Sequence, residues 1–286
     1  MENDIEYANA INRLCNCTCN FDDVDIFNSR VIKSPTLPNG VDLGTPENLE
    51  AVAIVSTNIL RSAINMKKAQ IISKNENSPK LIICAAYDTL SSELVPVEYR
   101  NQLLQTDFMA LSKFGSLPGF IPLYIGMPVI LKGRNLSTDL KITNGSKGII
   151  RHVTMKQCPS FFTHAKAALI EFSDSSIKCS NLPPAYFLIE LVSWTFVTTL
   201  NNPDGTKIKK KITRHQLPIK LAFSLTSHAC QSQTINKVLA DLRIGGFSAY
   251  VQASRVTNRE GICLTEPITL SDLNKPLPTN LKKENL

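Results

Sequence analysis

One stretch of this chain gathers side chains that can hold a phosphate without carrying much charge. Thr226 to Thr234 reads T-S-H-A-C-Q-S-Q-T, a set of hydroxyl, imidazole and amide groups with no acid. It follows the apolar run Leu217 to Leu225, which suits a buried strand. The loop should therefore stand at the carboxyl end of a sheet strand, where open α/β sheets bind their ligands. Thr226, His228, Gln231 and Thr234 are the candidate donors. Downstream, the helix-like segment A-Y-V-Q-A-S-R ends in Arg255. An arginine at a helix end can reach across a cleft to charge developing on a terminal phosphate, or it can cap its own helix's last carbonyls. Arg61, on a helix expected after the apolar run Ala51–Ser56, is either a second phosphate contact or part of a solvated helix face.

A second group is basic: Lys207, Lys209, Lys210, Lys211, Arg214 and His215. Such a run is usually a solvated face, and charge also blunts strand edges. A groove for single-stranded nucleic acid needs cations along the backbone and aromatic faces for stacking. Lys209 and Lys211 are the candidate DNA contacts. Trp194, Phe196 and Tyr186 could stack, although buried core is the ordinary place for each.

Other chemistries find no support. The four histidines stand in no H-E-x-x-H pattern, and no G-x-S-x-G elbow is present. Cys15, Cys17 and Cys19 are spaced C-x-C-x-C, not C-x2-C, and read as a loop between helices, so no metal ligand is assigned. The start of the chain carries acids and asparagines and has no apolar core, unlike a signal peptide. No stretch is long and apolar enough for a membrane span. The cysteines are thus expected to be reduced thiols of an intracellular protein. A net charge of +7 favours a polyanionic partner.

The elements that must position these residues fall into two textures. Residues 5 to 14 place Ile5, Ala8, Ile11 and Leu14 at helical spacing, and 22 to 32 predict a second helix with acids in its first turn. The Pro- and Gly-rich stretch from Ser34 to Glu50 reads as linker. Ala51–Ser56 predicts a strand and the next residues a helix, with Asn58 as its cap and Ile59, Ala63, Met66 and Ala69 on its face. Leu81–Asp88 predicts a second buried strand, so the region reads as a parallel sheet covered by helices. From Leu123 the runs shorten and turn signals multiply, Asn144-Gly145 among them. Strands are expected at 167–173, 186–200 and 207–213, spaced as in a small antiparallel barrel. The tail beyond Pro267 is expected to fray.

His215 to Thr265 resembles motifs V and VI of the Pif/RecD-like helicases of superfamily 1B, and is closest to the Pif type found in eukaryotic genomes and Helitron transposons. Ser56 to Asn65, S-T-N-x-x-R-x-x-x-N, resembles the start of that family's second RecA-like domain. The G-M-P-V-I-L-K and N-G-S-K-G-I-I strings resemble its SH3-like 2B insertion. The family pattern T-I-H-K-S-Q-G-x-T keeps Thr226, His228, Gln231 and Thr234 here but meets Ala229 where it has Lys and Ser232 where it has Gly.

The resemblance implies an α/β fold, a RecA-like parallel-sheet domain (2A) carrying a small SH3-like β-barrel (2B). It divides the chain into 1–50 (end of the first motor domain and linker), 51–122 (2A, first part), 123–214 (2B), 215–270 (2A, second part) and 271–286 (tail). It implies ATP and Mg2+ as cofactors and single-stranded DNA as partner, tracked 5′ to 3′ in genome maintenance (repair, recombination, telomeres) or transposition. It gives Arg255, Arg61 and Gln231 to the nucleotide, Arg255 as the arginine finger, and Thr226, His228 and Thr234 to DNA. No G-x4-G-K-S/T loop is present, so the main ATP and Mg2+ ligands are expected on a missing or separate P-loop half and turnover by this chain alone is not expected. A nuclear setting, with the mitochondrion as alternative, follows from the family. Two other readings stay open. One is a non-enzymatic single-strand-binding remnant of a transposon helicase. The other is an interaction module working through the barrel, whose binding would survive loss of residues 215–286.

Overall fold

The computed structural model describes residues 4–45, 48, 50–74, 79–105, 117–133, 135–157, 163–231 and 233–276. Helices α1 (Ile5–Cys15) and α2 (Phe21–Asn28) precede strand β1 (Val52–Val55) and helix α3 (Asn58–Ile72). There follow β2 (Ile82–Ala85), β3 (Tyr87–Leu90), β4 (Glu93–Leu94), α4 (Val97–Gln105), β5 (Phe120–Leu123) and β6 (Pro128–Leu131). Next come β7 (Lys147–Gln157), β8 (Thr163–Glu171), β9 (Tyr186–Glu190), β10 (Val192–Asn201), β11 (Lys207–Gln216) and β12 (Ile219–Leu221). The chain closes with β13 (Ser224–Thr226), β14 (Val238–Ala240), α5 (Gly246–Ala253), β15 (Ile262–Leu264) and α6 (Leu270–Leu273). Two compact units result, Met1–Arg61 with Phe223–Leu286, and Ser62–Ala222. Among the described residues no helix is long and apolar enough to cross a membrane.

The first unit is built on a parallel sheet in the order β13-β1-β14-β15. Val55 stands opposite Thr226, and Val52 opposite Val238. Its strands are short apolar runs because parallel sheets are covered on both faces. Helix α1 is capped by Asp4, whose carboxylate accepts from Tyr7 N at 3.1 Å. Its buried stripe is Tyr7, Ala10, Ile11 and Leu14, not the expected Ile5-Ala8-Ile11-Leu14, and Ile5 is exposed. Tyr7 takes the central place because its ring packs edge-on to Phe27 at 5.9 Å and its hydroxyl donates to Ala253 O at 2.8 Å. Helix α2 is fixed at its start by a capping box between Asn20 and Asp23, and it ends at Asn28, short of the expected residue 32. Residues 31 and 32 turn instead into bridges to Leu264 and Val41.

The cysteine-bearing loop between α1 and α2 docks the segment around Asn274. Cys19 N donates to Asn274 Oδ1 at 2.8 Å, and Asn274 Nδ2 returns a bond to Cys19 O at 3.0 Å. Burial pushes the Cys19 thiol up to about 12. The tail expected to fray after Pro267 is therefore ordered through Pro276, with α6 held by a capping box between Thr269 and Asp272. The rest of the tail lies outside the described residues.

Helix α3 departs from its expected face. Its N-terminal hydroxyl cap is Thr57, whose Oγ1 accepts from Leu60 N at 3.2 Å, while Asn58 is bonded to Arg61. Ala69 is buried as expected, but Ile59 is 68% exposed and Ala63 and Met66 are exposed as well. The polar Arg61 and Asn65, each 6% exposed, share the buried face with Ala69. Apolar spacing marked a stripe but not the side that is covered.

In the second unit a seven-stranded mixed sheet, nearly closed, runs β12-β6-β7-β8-β2-β5, with β9 on β8. The strand expected at Leu81–Asp88 to join a parallel sheet breaks at Ala86: β2 enters this sheet, antiparallel to β5 and parallel to β8, and β3 joins another. An apolar run fits either kind of neighbour, so its sequence did not choose. The single strand expected at 186–200 breaks at Leu191 into β9 and β10. Only β9 stays with the mixed sheet, while β10 and β11 form a long antiparallel ribbon in a separate sheet, β10-β11-β3-β4. Its turn closes through Asn202 N to Thr206 O at 2.8 Å, with Gly205 at φ +83° where a side chain would be strained. The apolar run at 217–225 is likewise divided, since β12 ends the second unit and β13 begins again in the first.

Candidate functional site

The loop expected to hold phosphate stands where it was placed, at the carboxyl end of β13 and beside the carboxyl end of β1. Thr226 is still extended, at φ −84° and ψ 154°, and Ser227–Cys230 then form one 3-10 turn. Ser227 Oγ lies 3.0 Å from Ser248 Oγ of α5, which pins the turn to that helix. Cys230 is buried beneath the turn with its thiol on Ser227 O at 3.2 Å. His228, Gln231 and Thr234 are exposed, and their side chains make no hydrogen bond among the described residues. The loop thus buries its small residues and offers its donors outward. Ser232, where the family pattern has Gly, lies outside the described residues. Ala229 leaves its position without a cation, and its carbonyl accepts Gln233 Nε2 at 2.9 Å.

Arg255 stands just past the end of α5, directly against this loop. Its Nε donates to Val251 O at 2.8 Å and Nη2 to Ser254 Oγ at 2.7 Å. Its Nη1 donates to Cys230 O at 3.2 Å and to Gln233 O at 3.3 Å. The main chain repeats the tie, with Ile235 N on Arg255 O at 2.8 Å. Arg255 therefore caps its helix and fastens both ends of the loop's second half at once. A guanidinium has five N–H donors, and these four bonds leave one Nη2 hydrogen without an acceptor among the described residues.

Sequence reasoning did not identify the groups that hold α5 in place. Gln252 is buried, accepting from Asp241 N at 3.2 Å and reaching Ser248 Oγ at 3.4 Å. Tyr7 closes the last-turn carbonyl of Ala253. Asp4 and Glu6 grip Arg259 at 2.7 and 2.6 Å, and the Arg259 guanidinium holds the Asp4 carboxyl well below the usual range. The polar residues of A-Y-V-Q-A-S-R carried the only signal, because an internal Gln within an apolar helix needs a partner.

The other candidates stand on other elements. Arg61 is buried rather than on a solvated face, with Nη1 on Asn58 Oδ1 at 2.6 Å. Lys209 and Lys211 lie on the second unit's ribbon. Arg214, read as part of the same basic run, is a structural residue. It is fully buried and bidentate to Asp88, with Nε on Oδ1 at 2.8 Å and Nη2 on Oδ2 at 2.7 Å. Two further donors meet Leu117 O and Leu103 O, and its Cζ lies 5.5 Å from the Phe196 ring centroid. Trp194 and Phe196 stack on each other at 4.3 Å, on the same side of the ribbon as Arg214.

The loop and Arg255 fit the outer side of a phosphate, with neutral donors and one guanidinium. They do not fit a divalent cation. Among the described residues no three His, Cys, Asp or Glu side chains could hold a metal ion, and no step through Mg2+ is assigned to these residues.

No family model matches the chain. The ATP-dependent DNA helicase PIF1 of Saccharomyces cerevisiae is 36% identical over 87 residues, which is 30% of this chain and 9% of that protein. Its namesake in Candida albicans is 35% identical over 77 residues, 26% of this chain and 8% of that one. Among solved structures, the Pif1 helicase of Candida albicans covers 99% of this chain at a TM-score of 0.61 and 19% identity. Bacteroides Pif1 bound to single-stranded DNA covers 99% at 0.61 and 15%. The chain spans 57% and 53% of those two proteins. The fold is that of a RecA-like domain with a β-barrel insert. In sequence over part of its length, and in fold over almost all of it, this chain is related to the Pif-type DNA helicases.

Proposed function

We propose that this chain is the C-terminal motor half of an ATP-dependent DNA helicase that moves 5′ to 3′ along single-stranded DNA, working in the nucleus. ATP, held mainly by a P-loop half, would supply the free energy. The residues here would couple it to the strand. The observation that carries this reading is the double attachment of Arg255, through one guanidinium, to the end of α5 and to the carbonyls of Cys230 and Gln233. A terminal phosphate that took Nη1 would remove the loop's fastening at the same moment. His228 and Thr234, which lie exposed on that loop, would then shift against a bound strand. The two Nη1 bonds, at 3.2 and 3.3 Å, are the long ones of the set and the easiest to surrender.

The test has two stages. The purified chain is expected to bind single-stranded DNA without hydrolysing ATP, and robust turnover by it alone would refute the proposal. Adding the P-loop half of a Pif-type helicase should then restore DNA-stimulated hydrolysis, and Arg255→Ala should abolish it. The second reading, a non-enzymatic single-strand-binding remnant, is favoured by Ala229, which removes the cation from the loop. It predicts DNA binding with no hydrolysis in either stage.

A further inference from the structure

The ribbon of β10 and β11 separates the basic run into two faces. Residues directly opposite in an antiparallel pair share a face, and successive residues alternate. Lys207, Lys209 and Lys211 stand opposite Asn201, Thr199 and Val197, and the same face continues through Thr213 and His215 opposite Thr195 and Ser193. Lys210 falls on the other face, with Ile208, Ile212, Arg214, Trp194 and Phe196. That inner face packs on Val95 and Leu103 of the second unit's core.

The outer face has a simple chemistry. Its three lysines are exposed, and none forms an ion pair or hydrogen bond among the described residues. Around them stand hydroxyl and amide groups, including Thr195 and Thr213, whose Oγ1 atoms lie 3.1 Å apart. No carboxylate lies on this face. The nearest acid in sequence, Asp204, is turned into its own loop and accepts from Thr206 N at 2.8 Å and from Thr206 Oγ1 at 2.6 Å. Alternate residues of a strand are about 7 Å apart, so the lysines form a row about 14 Å long. A row one cation wide, flanked by hydroxyls, suits a single line of phosphates. It does not suit a membrane surface, since Val197 is the only large apolar side chain on the face.

We propose that the outer face of this ribbon binds the sugar-phosphate backbone of a single-stranded nucleic acid through Lys207, Lys209 and Lys211, without reading or stacking its bases. This deepens the DNA-binding part of the reading above and concerns the second unit alone. Base stacking requires an exposed aromatic face; Trp194 and Phe196 are on the inner side, stacked on each other and beneath Arg214, and His215, at the far end of the outer face, is half-buried with its ring 5.9 Å from that of Tyr87. The site should therefore be blind to sequence and strongly dependent on salt.

The test is titration of the full chain with fluorescent oligonucleotides across a range of salt. Three phosphate contacts contribute about 0.7 each to the slope of log K against log salt. The triple variant K207Q/K209Q/K211Q should lower that slope by about 2, and K209Q alone by about 0.7. The loss should be the same for oligo-dT, oligo-dA and an abasic strand, while K210Q leaves the slope unchanged. An unaltered slope in the triple variant overturns the proposal, as does a loss confined to one base, a preference for duplex, or no single-strand binding by the parent chain. A triple variant that loses binding to anionic vesicles but not to oligonucleotides overturns it in favour of a membrane. The pair H228A/T234A in the first unit keeps the two readings apart. If only that pair weakens binding, the ribbon proposal fails and the motor reading stands; if only the lysine variants do, the reverse holds.

Discussion

Arg255 and the ribbon lysines carry the same charge in opposite circumstances. The guanidinium of Arg255 is committed to four internal bonds that hold a loop to a helix. The ammonium groups of Lys207, Lys209 and Lys211 are bonded to no described residue. A cation already satisfied by its own protein can act as a switch, because a ligand must displace something to engage it. A cation left to water can act only as a standing attraction. The first arrangement can couple events, and the second can only retain a strand. On the function proposed above, the two regions would divide what a translocating protein needs, grip that changes and grip that persists.

The largest effect that would sharpen this contrast lies beneath the lysines. Arg214→Met would leave the Asp88 carboxylate buried without its partner, and breaking a buried pair in this way costs about 3–5 kcal/mol. Urea unfolding should show that loss for Arg214→Met, against a change within about 0.5 kcal/mol for exposed Lys→Gln replacements on the opposite face. Equal effects on both faces would mean that the ribbon's division into a structural and a free side is wrong.

Next in size is Arg255→Ala, expected to cost about 2 kcal/mol by removing charged hydrogen bonds from a half-buried site. Arg255→Lys should recover less than half of this, because an ammonium cannot reach Val251 O and Gln233 O together. A near-neutral Arg255→Ala in chemical denaturation would show that the loop does not depend on its fastening, and the contrast with the lysines would collapse.

The smallest effect concerns a cation the second unit resists. His164 is buried, its ring 5.0 Å from that of Tyr87, and burial together with Lys156 and Arg100 holds its pKa below the ordinary 6.5. The unfolded chain therefore takes up the proton first as pH falls below about 6.5, and the fold loses stability through that window until His164 itself titrates. His164→Gln should flatten the pH dependence of the unfolding midpoint between pH 5 and pH 7. An unchanged profile in that variant would place the pH sensitivity elsewhere.

Sequence and structure agree most closely where chemistry is local. The loop from Thr226 to Thr234 sits at a strand's carboxyl end because the apolar residues before it could only be buried, and the alternating lysines follow from the period of a strand. Agreement fails where a distant partner decides. Arg214 looked like its basic neighbours until Asp88, 126 residues away, supplied its counter-ion. Tyr7 was passed over for Ile5 because its partner, the carbonyl of Ala253, lies 246 residues along the chain. Helix α3 was misjudged for a related reason. Arg61 and Asn65 are polar, and only the tertiary structure shows that theirs is the covered side.

The long span between Tyr7 and Ala253 also sets an order of events on the ribosome. Strand β1 is made before Ser62–Ala222, yet its neighbours β13 and β14 are not synthesised until the whole of that segment has been made. The second unit is continuous in sequence and can fold as it emerges, whereas α1, α2 and β1 must wait without their sheet. Their apolar stripes are exposed during that interval, which is when nascent chains are most open to misassembly. Closing so long a loop makes completion of the first unit the slow step. A nascent-chain protection experiment should find the second unit resistant to protease well before the first.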